Sequence, residues 1–271
     1  SDEVLALAFQ AFFEPVQAAP ADPDQAVTFP DVTYSFYPVY ARFYAINWRT
    51  IPLADDFSLP VASLLAPSGG IVLANPNAPT GMAVGIDVIE RLAASDRDRL
   101  VIVDEAYVDF GAETAVPLLA DYDNLLIIQT CSKSRALAGI RLGYAMGAPE
   151  LVDALERVRD SFNSYTLDRL AQTVGQAAFG AAAWFEETRA HIIRSRERMT
   201  AALAERRFQV LPSAANFVFA RHADRSGRSL YQGLRDNGIL VRHFDLPRIA
   251  DFLRITVGTD DQINELIRVL D

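Results

Sequence analysis

At 271 residues, with 51% hydrophobic and 22% charged side chains, the chain can bury a large core and has room for two lobes. A formal net charge of -10 argues against polyanionic partners, so neither nucleic acid nor an anionic membrane surface is expected. The single cysteine, Cys131, permits no intramolecular disulfide, no apolar run is long enough to span a bilayer and no signal peptide is read, so a reducing, cytoplasmic setting is the expectation.

In chain order, Ser1 can cap a helix whose apolar stripe is Leu5, Ala8, Phe9 and Phe12, with Asp2 and Glu3 in its first turn. Pro20 to Gln25 reads as a loop, Ala26 to Pro30 as a short strand and Arg49 to Leu53 as another. Between those strands an aromatic run, Tyr34, Phe36, Tyr37, Tyr40, Phe43 and Tyr44, has the spacing of a helix packed on the core. Ile71 to Ala74, Leu100 to Val103 and Leu125 to Ile128 are continuous apolar runs, the pattern of strands buried on both faces. Each ends in polar residues: Asn75-Pro76-Asn77-Ala78-Pro79-Thr80-Gly81, then Asp104-Glu105-Ala106-Tyr107, then Thr130-Cys131-Ser132-Lys133. Open α/β sheets hold their ligands at that edge.

Lys133 is the only lysine, and every other basic side chain among the 25 Lys and Arg residues is arginine. A primary amine can lose its proton and attack a carbonyl carbon, which a guanidinium cannot do. Taken alone, the same fact fits a surface lysine left over from arginine-biased usage. Cys131 lies beside it with no histidine nearby in sequence and reads as a small buried thiol rather than a nucleophile.

Further on, Pro149 to Arg159 reads as a helix with Leu151, Leu155 and Val158 on one face, a second helical region starts at Leu167, and Trp184 to Glu205 forms a long helix with Phe185, Ile192, Met199 and Leu203 inward. Phe208 to Leu211, Phe217 to Ala220, Ile239 to Arg242 and Phe252 to Thr256 are short strands, alternating with a helix near Ser229 to Asn237 and a last one started by Thr259 with Gln262 at the capping-box spacing. The tail is thus a small α+β lobe, and no internal repeat or low-complexity tract is seen.

Asn75 to Gly81, Asp104 to Tyr107, Ser132-Lys133, Ala138 to Gly143 and Leu253 to Gly258 together resemble, in order and over nearly the whole chain, the fold-type I aminotransferases that use pyridoxal 5'-phosphate. Within them the chain is similar to the histidinol-phosphate aminotransferase subgroup of the class II aminotransferases. The resemblance implies an α/β fold with a mostly parallel central sheet and helices on both faces, in a cofactor-binding domain of residues 1–183, followed by a small C-terminal domain of 184–271. It also implies a homodimer, and a glycine and arm ahead of Ser1.

The site residues follow from the same resemblance. Lys133 would hold the cofactor and then move the proton, Asp104 would face its pyridine nitrogen and Tyr107 its ring oxygen, while Tyr34 would lie flat on the ring. Ser132, Arg141 and Thr130 would bind the phosphate, with the backbone of Ser1, Asp2 and Glu3 at a helix N-terminus. The family carries asparagine where this chain has Ala78, so Asn77 is the replacement to test for the ring-oxygen contact. Asn216, Arg242 and Arg254 would face the substrate, an amino donor such as histidinol phosphate and then 2-oxoglutarate; no metal is expected. For Asp104 and Tyr107 a capping aspartate and a packing tyrosine are the plain alternative, and for Arg242 a solvated strand-end arginine. Aromatic or other amino acids as donors, decarboxylation of a phosphorylated amino acid, and a binding module without catalysis remain the rival functions.

Overall fold

The computed structural model describes residues 1–16 and 23–271. Its first half is built on a six-stranded sheet of β1 (Val27–Pro30), β2 (Trp48–Ile51), β3 (Gly70–Ala74), β4 (Val101–Asp104), β5 (Leu125–Thr130) and β6 (Gly143–Met146), in the order β2-β1-β3-β4-β5-β6. β1 to β5 pair in parallel and β6 closes the edge antiparallel to β5.

The apolar runs are continuous because both sheet faces are covered. Val72, Ile102, Leu126 and Ile128 face a cluster containing Leu5, Phe9, Tyr37 and Leu155, from α1 (Asp2–Phe12), α2 (Tyr37–Phe43) and, further on, the helix Pro149–Asp160. Their neighbours Ile71, Leu73, Val101, Val103, Leu125 and Ile127 face Leu64, Ile89 and Leu92, from α3 (Val61–Leu64) and α4 (Ile86–Ser95). The 3.6-residue period of the helices and the two-residue period of the strands therefore produce a three-layer core.

α5 (Pro149–Asp160) and α6 (Arg169–Gly180) lead into the 24-residue α7 (Ala182–Glu205), which buries Phe185, Met199 and Leu203. Beyond it, β7 (Phe208–Val210), β8 (Phe217–His222), β9 (Arg242–His243) and β10 (Phe252–Thr256) form an antiparallel sheet in the order β7-β8-β10-β9. α8 (Gly227–Asp236) and α9 (Asp260–Leu270) pack on it through Leu230, Leu234, Ile263 and Leu266. Thr259 and Gln262 make both bonds of the capping box at the start of α9.

Several local expectations need correction. The strand expected at Ile239 to Arg242 is confined to Arg242–His243, because Leu240 stands 81% exposed and only 242 and 243 find partners on β10. Ser1 precedes α1, but its side chain makes no capping bond. Of the loop expected at Pro20 to Gln25, residues 20–22 lie outside the described residues and Pro23–Gln25 form a 3-10 turn. Among the described residues no helix is long and apolar enough to cross a membrane.

Candidate active site

The register of the first sheet makes the site. Asp104 is level with Ala74 on β3 and Ile128 on β5, so the three chains leave the sheet side by side at one edge. There they form a cavity open to solvent, lined by Tyr34, Ala78, Asp104, Tyr107, Lys133 and Arg141, together with Ser1, Asp2, Thr130 and Ser132.

Asp104 is 4% exposed. It accepts a hydrogen bond from the Tyr37 hydroxyl at 3.1 Å and from the Ala106 amide at 3.1 Å. Burial outweighs these bonds and pushes its pKa up to about 6. Among the described residues it forms no side-chain ion pair, and it lines the cavity beside Lys133.

Lys133 lines the same cavity, with its ammonium 5.3 Å from the centre of the Tyr107 ring. Tyr107 in turn rests edge-on against Phe217, ring centres 5.1 Å apart at 89°. Among the described residues the Lys133 ammonium has no hydrogen bond or ion pair. A lone amine and a lone carboxylate in one cavity suit a ligand that carries a carbonyl carbon and a basic ring nitrogen.

At the other end of the cavity are the anion donors. Thr130 Oγ1 lies 3.0 Å from Ser132 Oγ and accepts from the Ser132 amide at 3.2 Å. Arg141 takes a left-handed backbone conformation (φ 59°), and its side chain, 62% exposed, reaches Asp2 at 3.1 Å. Tyr34 donates to the other oxygen of Asp2 at 2.6 Å. Burial, then that carboxylate, raises the pKa of Tyr34 and keeps it protonated.

Five expected residues stand outside this lining. Asn77 does not line the cavity: its amide donates to the Val32 carbonyl at 2.9 Å and Thr80 Oγ1 at 3.0 Å, and its oxygen accepts from Thr33 at 2.7 Å. Both of its amide hydrogens are engaged, and it is Ala78 that lines the cavity. Glu3 is exposed and lines a separate groove with Arg159. Asn216 lies just before β8, with its carbonyl accepting from Val257.

Arg242 and Arg254 lie outside the cavity lining but beside one another, as paired residues of β9 and β10. The guanidinium of Arg254 lies 5.1 Å from the centre of the Phe217 ring, the same ring that meets Tyr107, and 6.0 Å from that of Phe244. Arg242 lies 5.4 Å from Phe244. Among the described residues neither arginine forms an ion pair. Both cations are therefore held by aromatic faces and left open to an anion.

Tyr37, which the aromatic run made a core residue, is also the donor to Asp104. Only its place about one turn from Tyr34 in the aromatic run could have signalled that. Among the described residues no group of three or more His, Cys, Asp or Glu side chains is placed to hold a metal ion.

Residues 7–270 match the family model described as aminotransferase class I and II. This chain belongs to that family. It is 56% identical to histidinol-phosphate aminotransferase 1 of Bradyrhizobium diazoefficiens and 53% to that of Burkholderia pseudomallei, covering all of this chain and 75% and 74% of theirs. Among solved folds, the histidinol-phosphate aminotransferase of Clostridium acetobutylicum superposes with a TM-score of 0.87 at 20% identity, covering 100% of this chain and 80% of that one. The enzyme of Sinorhizobium meliloti, solved with pyridoxal-5'-phosphate, does so at 0.85 and 23%, covering 98% and 73%. The fold of this class I and II aminotransferase is thus the one the strand-end motifs implied, with α/β layers and a mostly parallel sheet.

Proposed function

We propose that the chain uses pyridoxal 5'-phosphate to transfer the amino group of histidinol phosphate to 2-oxoglutarate, a step of histidine biosynthesis. The observation that carries this is the buried Asp104, its pKa raised to about 6, lining one cavity with the sole lysine. The naming of relatives at 56% and 53% identity supports the choice of donor.

When bound, pyridoxal 5'-phosphate supplies an aldehyde carbon for the amino group and an aromatic ring that spreads the charge of the deprotonated substrate carbon. Asp104, fixed by Tyr37 and Ala106, would face the ring nitrogen and favour its protonated form. Lys133 would hold the cofactor through its amine and, once free, would serve as the base that moves the proton at the substrate carbon. Tyr107 would serve the ring oxygen, without an asparagine at position 78 to help it, and Tyr34 would cover the ring. Ser132, Thr130, Arg141 and the backbone at Ser1 and Asp2 hold the phosphate, for which the Arg141–Asp2 ion pair must open or rotate. Arg254 and Arg242 grip first the phosphate of the donor and then a carboxylate of the acceptor, since a guanidinium fork reads planar oxygens on either scaffold. Asn216 orients the substrate from the start of β8.

Residues 1–183 are then the cofactor-binding lobe and 184–271 the small lobe, with α7 between the two sheets. A homodimer accounts for the apolar face of α2, where Val39 is 42% and Phe43 79% exposed. A free buried Cys131 fits a reducing cytoplasm.

Titrating the cofactor-loaded protein with histidinol phosphate, glutamate and phenylalanine, while following the absorbance of the lysine-bound cofactor, tests the function. Histidinol phosphate and glutamate are expected to discharge the band and phenylalanine to leave it nearly intact. Discharge by phenylalanine alone, release of CO2, or no cofactor band at all would remove the proposal.

A further inference from the structure

α7 carries a guanidinium with no part in the chemistry above. Arg196 is 8% exposed and lies on the buried side of the helix with Met199 and Leu203. One of its nitrogens, Nη1, donates to two backbone carbonyls at once, that of Phe110 at 2.7 Å and that of Ala215 at 2.8 Å. Among the described residues it has no ion-pair partner, and burial lowers its pKa. A buried charge set against neutral acceptors is expensive, and an apolar side chain would fill the same space at less cost. An apolar side chain could not tie two segments of backbone together.

The two segments are the ones that frame the substrate. Phe110 ends the 3-10 turn Val108–Phe110, which begins directly after Tyr107. In the same turn the Asp109 carboxylate accepts from Ser134, the residue after Lys133, at 2.5 Å. The turn is closed by Gly111 at φ +128°, a conformation open to glycine and strained for other residues. On the other side, Ala215 immediately precedes Asn216 and Phe217. The Phe217 ring touches Tyr107 at 5.1 Å and lies 5.1 Å from the guanidinium of Arg254. Arg196 therefore stands at the join between the wall bearing Tyr107 and Lys133 and the strand start bearing the anion grip.

We propose that Arg196 is a positioning residue for the substrate, whose paired carbonyl bonds hold Ala215–Phe217, and through the Phe217 ring Arg254, in register with Tyr107 and Lys133. This rests on the proposed roles of Asn216 and Arg254. Arg196 touches none of Asp104, Thr130, Ser132 or Arg141, so its removal should loosen the substrate side and spare the cofactor side. Because both bonds leave one nitrogen, a lysine ammonium can restore them in part and a methionine cannot.

The test compares the loaded wild type with R196M and R196K by kinetics on histidinol phosphate, by cofactor affinity, and by hydrogen exchange of the amides in 107–111 and 213–217. In R196M, KM is expected to rise about tenfold, the scale of a lost charge-assisted hydrogen bond, with cofactor Kd unchanged within about twofold and both segments exchanging faster. R196K should recover part of both the KM and the protection. Unchanged exchange in both segments of R196M, or cofactor affinity falling in step with substrate affinity, overturns the proposal. Should R196M not fold, R196A replaces it under the same criteria, and unchanged exchange in both segments of that variant overturns the proposal equally. If the wild type does not accept histidinol phosphate, the functional reading fails while the exchange measurement still decides whether Arg196 clasps the two segments.

Discussion

At the ends of β4 and β5 the polar residues are buried and bound to their neighbours: Asp104 by Tyr37 and Ala106, Thr130 beside Ser132, with exposures of 4% and 6%. On β9 and β10 the arginines are more open and lean on Phe244 and Phe217. A cofactor that stays in place rewards groups fixed in advance, whereas substrates that enter and leave need cations free of competing carboxylates. An aromatic face orients a guanidinium without neutralising it. On the proposed reading, one sheet carries the permanent half of the site and the other the exchangeable half.

The largest break in that division comes from Lys133→Ala. Turnover should fall roughly 10^4-fold or more, and borohydride should no longer fix the cofactor to the chain by mass spectrometry. Retained turnover would remove the first sheet's claim to the chemistry. Asp104→Asn should lower turnover by about 10^3-fold, since a neutral amide cannot hold a ring nitrogen protonated.

The same substitution should help the cofactor-free fold. The Asp104 pKa is raised to about 6 from an ordinary carboxylate value near 4, so the folded state binds this proton more tightly than the unfolded state does. Its contribution to stability is whole below about pH 4 and is lost as pH rises through about 6. Thermal unfolding of the two cofactor-free proteins should show the Asn variant gaining on wild type across that window and the gap constant above it. A gap independent of pH would mean that Asp104 does not titrate there.

Arg254→Ala probes the exchangeable half, with KM for histidinol phosphate rising about 100-fold, and Arg242→Ala, more exposed, should raise it about tenfold. Neither should move cofactor affinity, and a matching loss in both constants would erase the distinction between the two sheets. The smallest effect belongs to Thr259→Ala, which removes the capping box of α9: about 1 kcal/mol of stability by denaturant unfolding, with kcat unchanged.

β3, β4 and β5 could be read directly because burial on both faces leaves no alternation to confuse. β6 could not, since Gly143 to Met146 are all half-buried at the sheet's edge and show neither pattern. α4 carries its signal in Ile86, Ile89 and Leu92 at helical spacing. Asp104 and Lys133 stood out because their chemistry is rare at the end of an apolar run. Asn77 misled because the way a side chain turns in a loop depends on partners 44 and 45 residues away, Thr33 and Val32. Tyr37 and Arg196 were unreadable for a related reason: each acts through a bond to a residue distant in the chain.

The half-buried ammonium of Lys133 has a practical corollary. A lysine-specific endoproteinase has a single point of attack in these 271 residues, and it lies at the floor of the cavity. Resistance to cutting there, or to an acylating label on that amine, would report how fully the pocket is filled, molecule by molecule, in a sample whose turnover has never been measured.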